Sequence, residues 1–474
     1  MAAHRARRWQ LGVVVILCWF NAGTDFFRAE KAAIHSFDDV LARKWVFLWP
    51  PWAPVLAFVS HDTDEHLYFE YTRAILGEAA DLPYIAQQHH GDVAAGLRDL
   101  EQRLARAPST GWRLPYRDVP VEYPPVAVVY MLIPRLVSAT LGGYRVAFGA
   151  LAALTWLVGW WLARRVFPSL PEEVLWRRAL FATVAAGSIL VRRLDVLPAA
   201  LAFAAFALVA TRRAFAAGVV VALGAAAKLY PLFFLPAWGA LLLGMRRTGE
   251  LARLAAGVAV GLGAIVAATR LLLGPAASEL LQSVRYYSER PFQLESMVGG
   301  VALALGGRQA VSLSFGSFNV GAPRWLATAM TALLLAGLAA VALLVLVRAR
   351  RLRADISLDN NAAAGRLLAW SSVATLSWVL ITSKVLSPQY LLWCAPLFAA
   401  LPGDDGARLA RRFVWLLALT QLIFPIGYEL VNQATLPGIA LLLGRNLLLV
   451  ATFVFALRRL ALHPTAEGHD AVAP

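Results

Sequence analysis

The sequence predicts an all-α polytopic membrane protein, and three observations carry that prediction. Of 474 residues, 59% are hydrophobic and only 15% are charged, against roughly 45–50% and about 25% in soluble domains. The mean hydropathy is +0.61. Apolar runs long enough to cross a bilayer follow one another, separated by short basic pairs such as Arg164-Arg165, Arg212-Arg213 and Arg246-Arg247. A single water-soluble core and a disordered chain are excluded. The net charge of +15 does not point to nucleic acid, because the basic residues lie between apolar runs, as the positive-inside rule requires of membrane loops. Cys18 and Cys394 both lie in apolar runs and read as small core residues.

About twelve spans of roughly 20 residues fit the chain. Arg5, Arg7 and Arg8 place the N-terminus in the cytoplasm ahead of span one, 1–27. A cleaved signal peptide has similar chemistry, but Asn21-Ala22-Gly23-Thr24-Asp25 is a poor cleavage site. Residues 28–143 form a large first extracytoplasmic loop. Spans two to seven occupy 144–272, a second outer loop 273–323, spans eight to twelve 324–459, and a cytoplasmic tail 460–474. Both termini are then inside. The stretch 124–143 is apolar enough to span, but spanning would move every later arginine pair to the other side. It therefore reads as an interfacial helix, with Pro134 and Arg135 in its middle. The tryptophans read mostly as interfacial belt residues.

This threading brings the unusual polar residues to the outer face: Asp62, Asp64, Tyr68, Tyr116, Asp118, Glu122, Tyr123, Asp195, Lys228, Arg290, Gln293, Glu295, Lys384, Gln389 and Tyr390. Ionisable groups at span ends are costly and functional by default. Carboxylates supply general bases, and Arg and Lys supply phosphate contacts. Together, beside a lipid phase, they suggest chemistry on a lipid phosphate. Plainer roles stand beside these. Asp64 suits the cap of the amphipathic run Leu67–Leu76, Lys228, Arg290 and Lys384 could snorkel from span ends, Asp195 could serve as partner to an arginine, and Glu122-Tyr123-Pro124-Pro125 could simply fix a turn. His61, Asp62, Asp64 and His66 could hold a divalent metal, although their spacing fits no closed zinc site. No cofactor is otherwise indicated, and there is no P-loop or Rossmann fingerprint.

The first-loop segments His61-Asp62-Thr63-Asp64-Glu65-His66-Leu67-Tyr68 and Pro115-Tyr116-Arg117-Asp118, then Glu122-Tyr123-Pro124-Pro125, resemble the first outer loop of the GT-C glycosyltransferases, and family 87 in particular. The likeness continues through Asp195 with Leu197-Pro198-Ala199, Lys228-Leu229-Tyr230-Pro231, Arg290-Pro291-Phe292-Gln293-Leu294-Glu295-Ser296 and Lys384-Val385-Leu386-Ser387-Pro388-Gln389-Tyr390-Leu391-Leu392-Trp393. One departure is an extra stretch, 82–112, between Gly77 and Pro115.

The resemblance implies a GT-C fold and an inverting transferase of the inner membrane. It would move a sugar, mannose being the family's commonest case, from a polyprenyl-phosphate donor to a lipid or glycan acceptor on the extracytoplasmic face. Asp64 aligns with the family's catalytic base, with Asp62 as its rival. Arg193, Lys228, Arg290 and Lys384 would hold the donor phosphate. Tyr68, Glu122, Tyr123, Asp195, Gln293, Glu295, Gln389 and Tyr390 would shape the site. The alternatives are a polyprenyl-phosphate arabinofuranosyltransferase, or a transporter or flippase for a lipid-linked or anionic solute. A transporter would place its polar groups near the midplane of two repeated halves, and no such repeat is visible here.

Overall fold

The computed structural model describes residues 2–22, 64–89, 92–107, 111–274, 286, 288–354 and 360–462. Helix α1 (Ala2–Ala22) packs on α6 (Leu141–Val166) and α7 (Glu172–Ala186). Between α1 and α6, the described part of the first loop folds as α2 (Asp64–Ile75), α3 (Leu82–His89), α4 (Val93–Arg106) and α5 (Pro125–Leu132), the last continued by a 3-10 turn over Ile133–Leu136. The apolar stretch 124–143 is therefore broken at 137–140 and is not one span. Leu136 and Val137 remain exposed.

Six described helices are long and apolar enough to cross a membrane: α6, α12 (Thr248–Leu273), α14 (Arg324–Ala354), α15 (Asn360–Thr382), the α17 segment (Gly403–Gln421, with its continuation to Ile426) and α19 (Leu436–Ala461). The chain is thus an all-α multi-pass membrane protein. The remaining expected spans are shorter helices: α7, α9 (Val196–Ala210), α10 (Ala214–Ala225) and α11 (Leu235–Gly244). Within 324–459, where spans eight to twelve are expected, the apolar stretch 388–401 is not a continuous helix. A 3-10 segment, Pro388–Cys394, leads to the four-residue α16 (Leu397–Ala400). Pro388, Pro396 and Pro402 each lack the N–H a helix needs. Every residue from 388 to 401 is buried, so this irregular backbone is enclosed by protein, as it must be at membrane depth. Arg178 closes its end by donating to the Ala399 and Leu401 carbonyls at 3.1 and 2.7 Å.

Helices α12 and α14 turn apolar side chains outward, Leu271 and Leu343 among them, as a lipid-facing surface does. Inside, α10 and α12 meet through glycines. A Cβ on Gly257 would stand 2.0 Å from the Phe215 carbonyl oxygen, and one on Gly218 would stand 2.2 Å from that of Leu254. Such small-residue contacts let helix backbones approach. Because backbone must move to admit a methyl, Gly257→Ala is expected to destabilise by about 1–3 kcal/mol. A lower melting temperature in detergent checks this, and an unchanged one would refute the contact.

The stretch between α12 and α14 contains α13 (Met297–Gly306) and a three-stranded antiparallel sheet in the order β1-β3-β2, with β1 Phe292–Gln293, β2 Val311–Ser314 and β3 Ser317–Val320. Phe292 pairs with Val320 and Gln293 with Asn319. The turn after β1 is fixed by two backbone bonds, Gln293 N–H to the Lys384 carbonyl and Leu294 N–H to that of Phe318, both 2.9 Å. The chain thereby places 290–296 beside 384–390.

Candidate active site

Asp64 is the first residue of α2, where the helix dipole favours a carboxylate. Arg193 forms an ion pair with one of its oxygens. The hydroxyl of Tyr68, one turn later, donates to the other at 3.3 Å. Tyr68 is fully buried and packs edge-on to Tyr123, with ring centroids 5.4 Å apart. Burial, and then the Asp64 charge, push its phenol well above its ordinary range, so it keeps the proton it offers to Asp64.

The neighbouring Glu65 is also fully buried. Its carboxylate lies 3.8 Å from the guanidiniums of Arg145, on α6, and Arg192, at the end of α8 (Ile189–Arg192). This charged trio ties α2 to α6 and to the turn that presents Arg193. Sequence reading singled out neither Glu65 nor Arg145. A charged residue five positions into an apolar helix was the available signal for Arg145.

A second polar group lies across α9 and α10. Asp195, at the start of α9, accepts from Lys228 Nζ and from Trp393 Nε1, each at 2.7 Å. Its partner is thus a lysine, where the sequence suggested an arginine. Lys228 follows the C-terminal turn of α10 and stands 4.3 Å from the Tyr390 ring centre. Trp393 is sandwiched between Tyr230 and Tyr390, each at 4.1 Å. The tryptophans read mostly as belt residues, and Trp9, Trp161, Trp325 and Trp415 are exposed, whereas Trp393, Trp156, Trp176 and Trp238 are buried. Each indole N–H of these last four has a buried or half-buried acceptor: Asp195, Thr183, Glu172 and Ser372 respectively.

The stretch between α12 and α14, with 384–390, supplies the rest. Arg290 donates to Ser317 Oγ at 2.7 Å. Lys384 donates to the carbonyls of Ser288 and Arg290, at 3.0 and 3.1 Å, so it fastens this loop. Burial, with Arg290 nearby, lowers its pKa. The Gln293 amide oxygen accepts from Ser387 at 3.2 Å. Gln389 is buried, and its amide oxygen has no partner among the described residues. Glu295 is buried beneath α19, where Arg445 donates to its backbone carbonyl at 2.8 Å. The hydroxyl of Tyr390 lies within electrostatic reach of Asp195, Arg290 and Asp64. Glu295 is within reach of Arg193.

Two predicted residues sit in the frame of the first loop. Glu122 is buried and accepts from the Tyr71 hydroxyl, and the Tyr123 carbonyl accepts from Tyr116 at 2.8 Å. The extra stretch folds as the α3–α4 hairpin and seats Ile85 and Leu100 in a small core with Leu67, Tyr71 and Ile75 of α2. Asp62 and His61 lie outside the described residues. Among the described residues no group of three or more His, Cys, Asp or Glu is placed to hold a metal ion. His66 instead stacks on Tyr84 at 4.6 Å and approaches Glu70 at 3.7 Å.

The site thus sets a carboxylate at a helix N-terminus against an arginine, and a second carboxylate against a lysine, inside a multi-pass helical membrane protein. The model of glycosyltransferase family 87 matches residues 122–383, and the chain belongs to that family. It is a membrane glycosyltransferase of GT-C type. The matched stretch takes in Glu122, Tyr123, Arg193, Asp195, Lys228, Arg290, Gln293 and Glu295. It excludes Asp64 and ends one residue before Lys384. No curated protein gives a significant match.

Proposed function

We propose that this glycosyltransferase moves a sugar, mannose as the first reading, from a polyprenyl-phosphate donor to a lipid or glycan acceptor, with inversion. The reaction takes place on the extracytoplasmic face of the inner membrane, with both termini in the cytoplasm. The observation that carries this reading is the Asp64 carboxylate, held by Arg193 and Tyr68 within electrostatic reach of the Tyr390 hydroxyl.

Asp64 takes the proton from the acceptor hydroxyl as that oxygen bonds to the anomeric carbon. The bond from that carbon to the phosphate oxygen breaks, and polyprenyl phosphate leaves with the electron pair. Lys228 and Arg290, the cations nearest Tyr390, meet the developing phosphate charge. Asp195 and the Tyr230–Trp393–Tyr390 stack hold Lys228 in place. Lys384 serves by fixing the Arg290 backbone. The α3–α4 hairpin, which the sequence adds between Gly77 and Pro115, covers the acceptor side.

The test is transfer of label to endogenous lipids in membranes carrying the protein, from polyprenyl-phosphomannose and, in parallel, from polyprenyl-phosphoarabinose. A new labelled lipid from the mannose donor supports the reading. Transfer from the arabinose donor alone replaces the sugar. Transfer from neither, with labelled donor crossing the bilayer, would make the protein a flippase.

A further inference from the structure

Glu295 and Arg445 stand apart from the groups assigned above. Both are fully or almost fully buried, and Arg445, on α19, lies beyond the family-matched stretch. Arg445 donates to the Glu295 carbonyl at 2.8 Å, and Asn446 Nδ2 lies 3.4 Å from that of Ser296. These bonds fix the backbone of the turn and use only one of the Arg445 nitrogens. Arg445 Nε and its other terminal nitrogen have no acceptor, and Glu295 Oε2 has no donor, among the described residues. The two charges feel each other without forming a direct ion pair. Leaving buried charged groups in this condition is costly, so a missing polar group belongs between them.

The chemistry of that group is constrained. With Glu295 in its anionic form, it must accept from Arg445 and donate to Glu295. A phosphodiester only accepts, and an ammonium only donates. A hydroxyl does both. Arg193, the ion-pair partner of Asp64, is within electrostatic reach of Glu295, and the Glu295 and Arg445 side chains are both buried.

We propose that the gap between Glu295 and Arg445 receives one hydroxyl of the transferred sugar, so that these two residues select the donor by its hydroxyl pattern. This rests on the polyprenyl-phosphate sugar donor proposed above. The charged and titratable groups facing Glu295 are Arg445 from α19, Arg193 from the turn after α8 and Tyr428 from α18 (Tyr428–Asn432). Burial pushes the Glu295 carboxyl up to about 7 against the pull of the two arginines. Its anionic, accepting form is therefore gained as pH rises through neutrality.

A water molecule has the same dual capacity, and the experiment separates the two. Transfer is measured with whichever labelled donor the wild-type protein uses, and with its monodeoxy analogues, for wild type, Glu295→Gln and Arg445→Lys. For the full donor, Glu295→Gln is expected to lower kcat/KM about ten- to a hundredfold and to flatten the rise of kcat/KM with pH near 7. One monodeoxy donor should be poor with wild type and lose little further in Glu295→Gln, because the lost partner is the same. Arg445→Lys should keep part of that discrimination. If every donor loses equally in Glu295→Gln, the gap holds water and the proposal fails while the transferase reading stands. If wild type transfers from neither donor, the transferase reading fails and this inference with it. Melting temperatures of the variants, measured alongside, separate unfolding from lost recognition.

Discussion

Asp64→Asn is expected to lower sugar transfer about 10²–10⁴-fold, the usual contribution of a positioned general base, while the membranes still bind donor. The amide keeps the shape of the carboxylate and its place at the start of α2, but it cannot take a proton. Lys228 and Arg290 are untouched, so the donor phosphate should be held as before, and the loss should fall on kcat and not on KM. Labelled polyprenyl-phosphosugar in membranes carrying wild type or variant reads both quantities. Transfer that survives Asp64→Asn would move the base elsewhere, and Asp62, two residues upstream, is the carboxylate to replace next.

Glu65→Ala is the second large effect. Glu65 is fully buried, with Arg145 and Arg192 each 3.8 Å away. Its removal leaves two buried guanidiniums without the carboxylate between them. Breaking a buried ionic group in this way costs about 3–5 kcal/mol, enough to lower the melting temperature in detergent by several degrees and to reduce the yield of folded protein. Glu65→Gln retains the shape and some hydrogen bonding, so it should cost less. Because Arg192 is bonded in sequence to Arg193, the Gln variant should also lose transfer beyond its loss of stability. A Glu65→Ala protein that melts like wild type would show the trio to be dispensable.

The contrast between these adjacent carboxylates shows what one chain of residues can reveal. Asp64 stood out because it precedes an amphipathic run and matches a motif spaced along the chain. Glu65 has the same chemistry at the next position, yet only the fold separates them. A helix turns about 100° per residue, so consecutive side chains leave in different directions. One meets Arg193 and the other enters the protein between α6 and α8. Arg445 was hidden for a different reason. It sits in an apolar run that reads as a span, 150 residues from the Glu295 carbonyl it holds, and no local spacing announces such a pairing.

Lys384 and Trp393 show the limit from the other side. Lys384 sits in a recognisable motif, and its place beside 290–293 follows from the β1 turn. Its ammonium nevertheless points at two backbone carbonyls. Trp393 ends the same stretch of family likeness, yet only the fold shows that it stacks between two tyrosines and donates to Asp195.

By itself the sequence determined the class of protein and the family likeness. Composition and hydrophobic run length follow directly from the bilayer's thickness and its low polarity. The tertiary structure alone decided which charges pair, which spans become broken segments, and which side chains face one another. Those outcomes depend on the rotation and crossing of helices far apart in the chain, and on the need of each buried polar group for a partner.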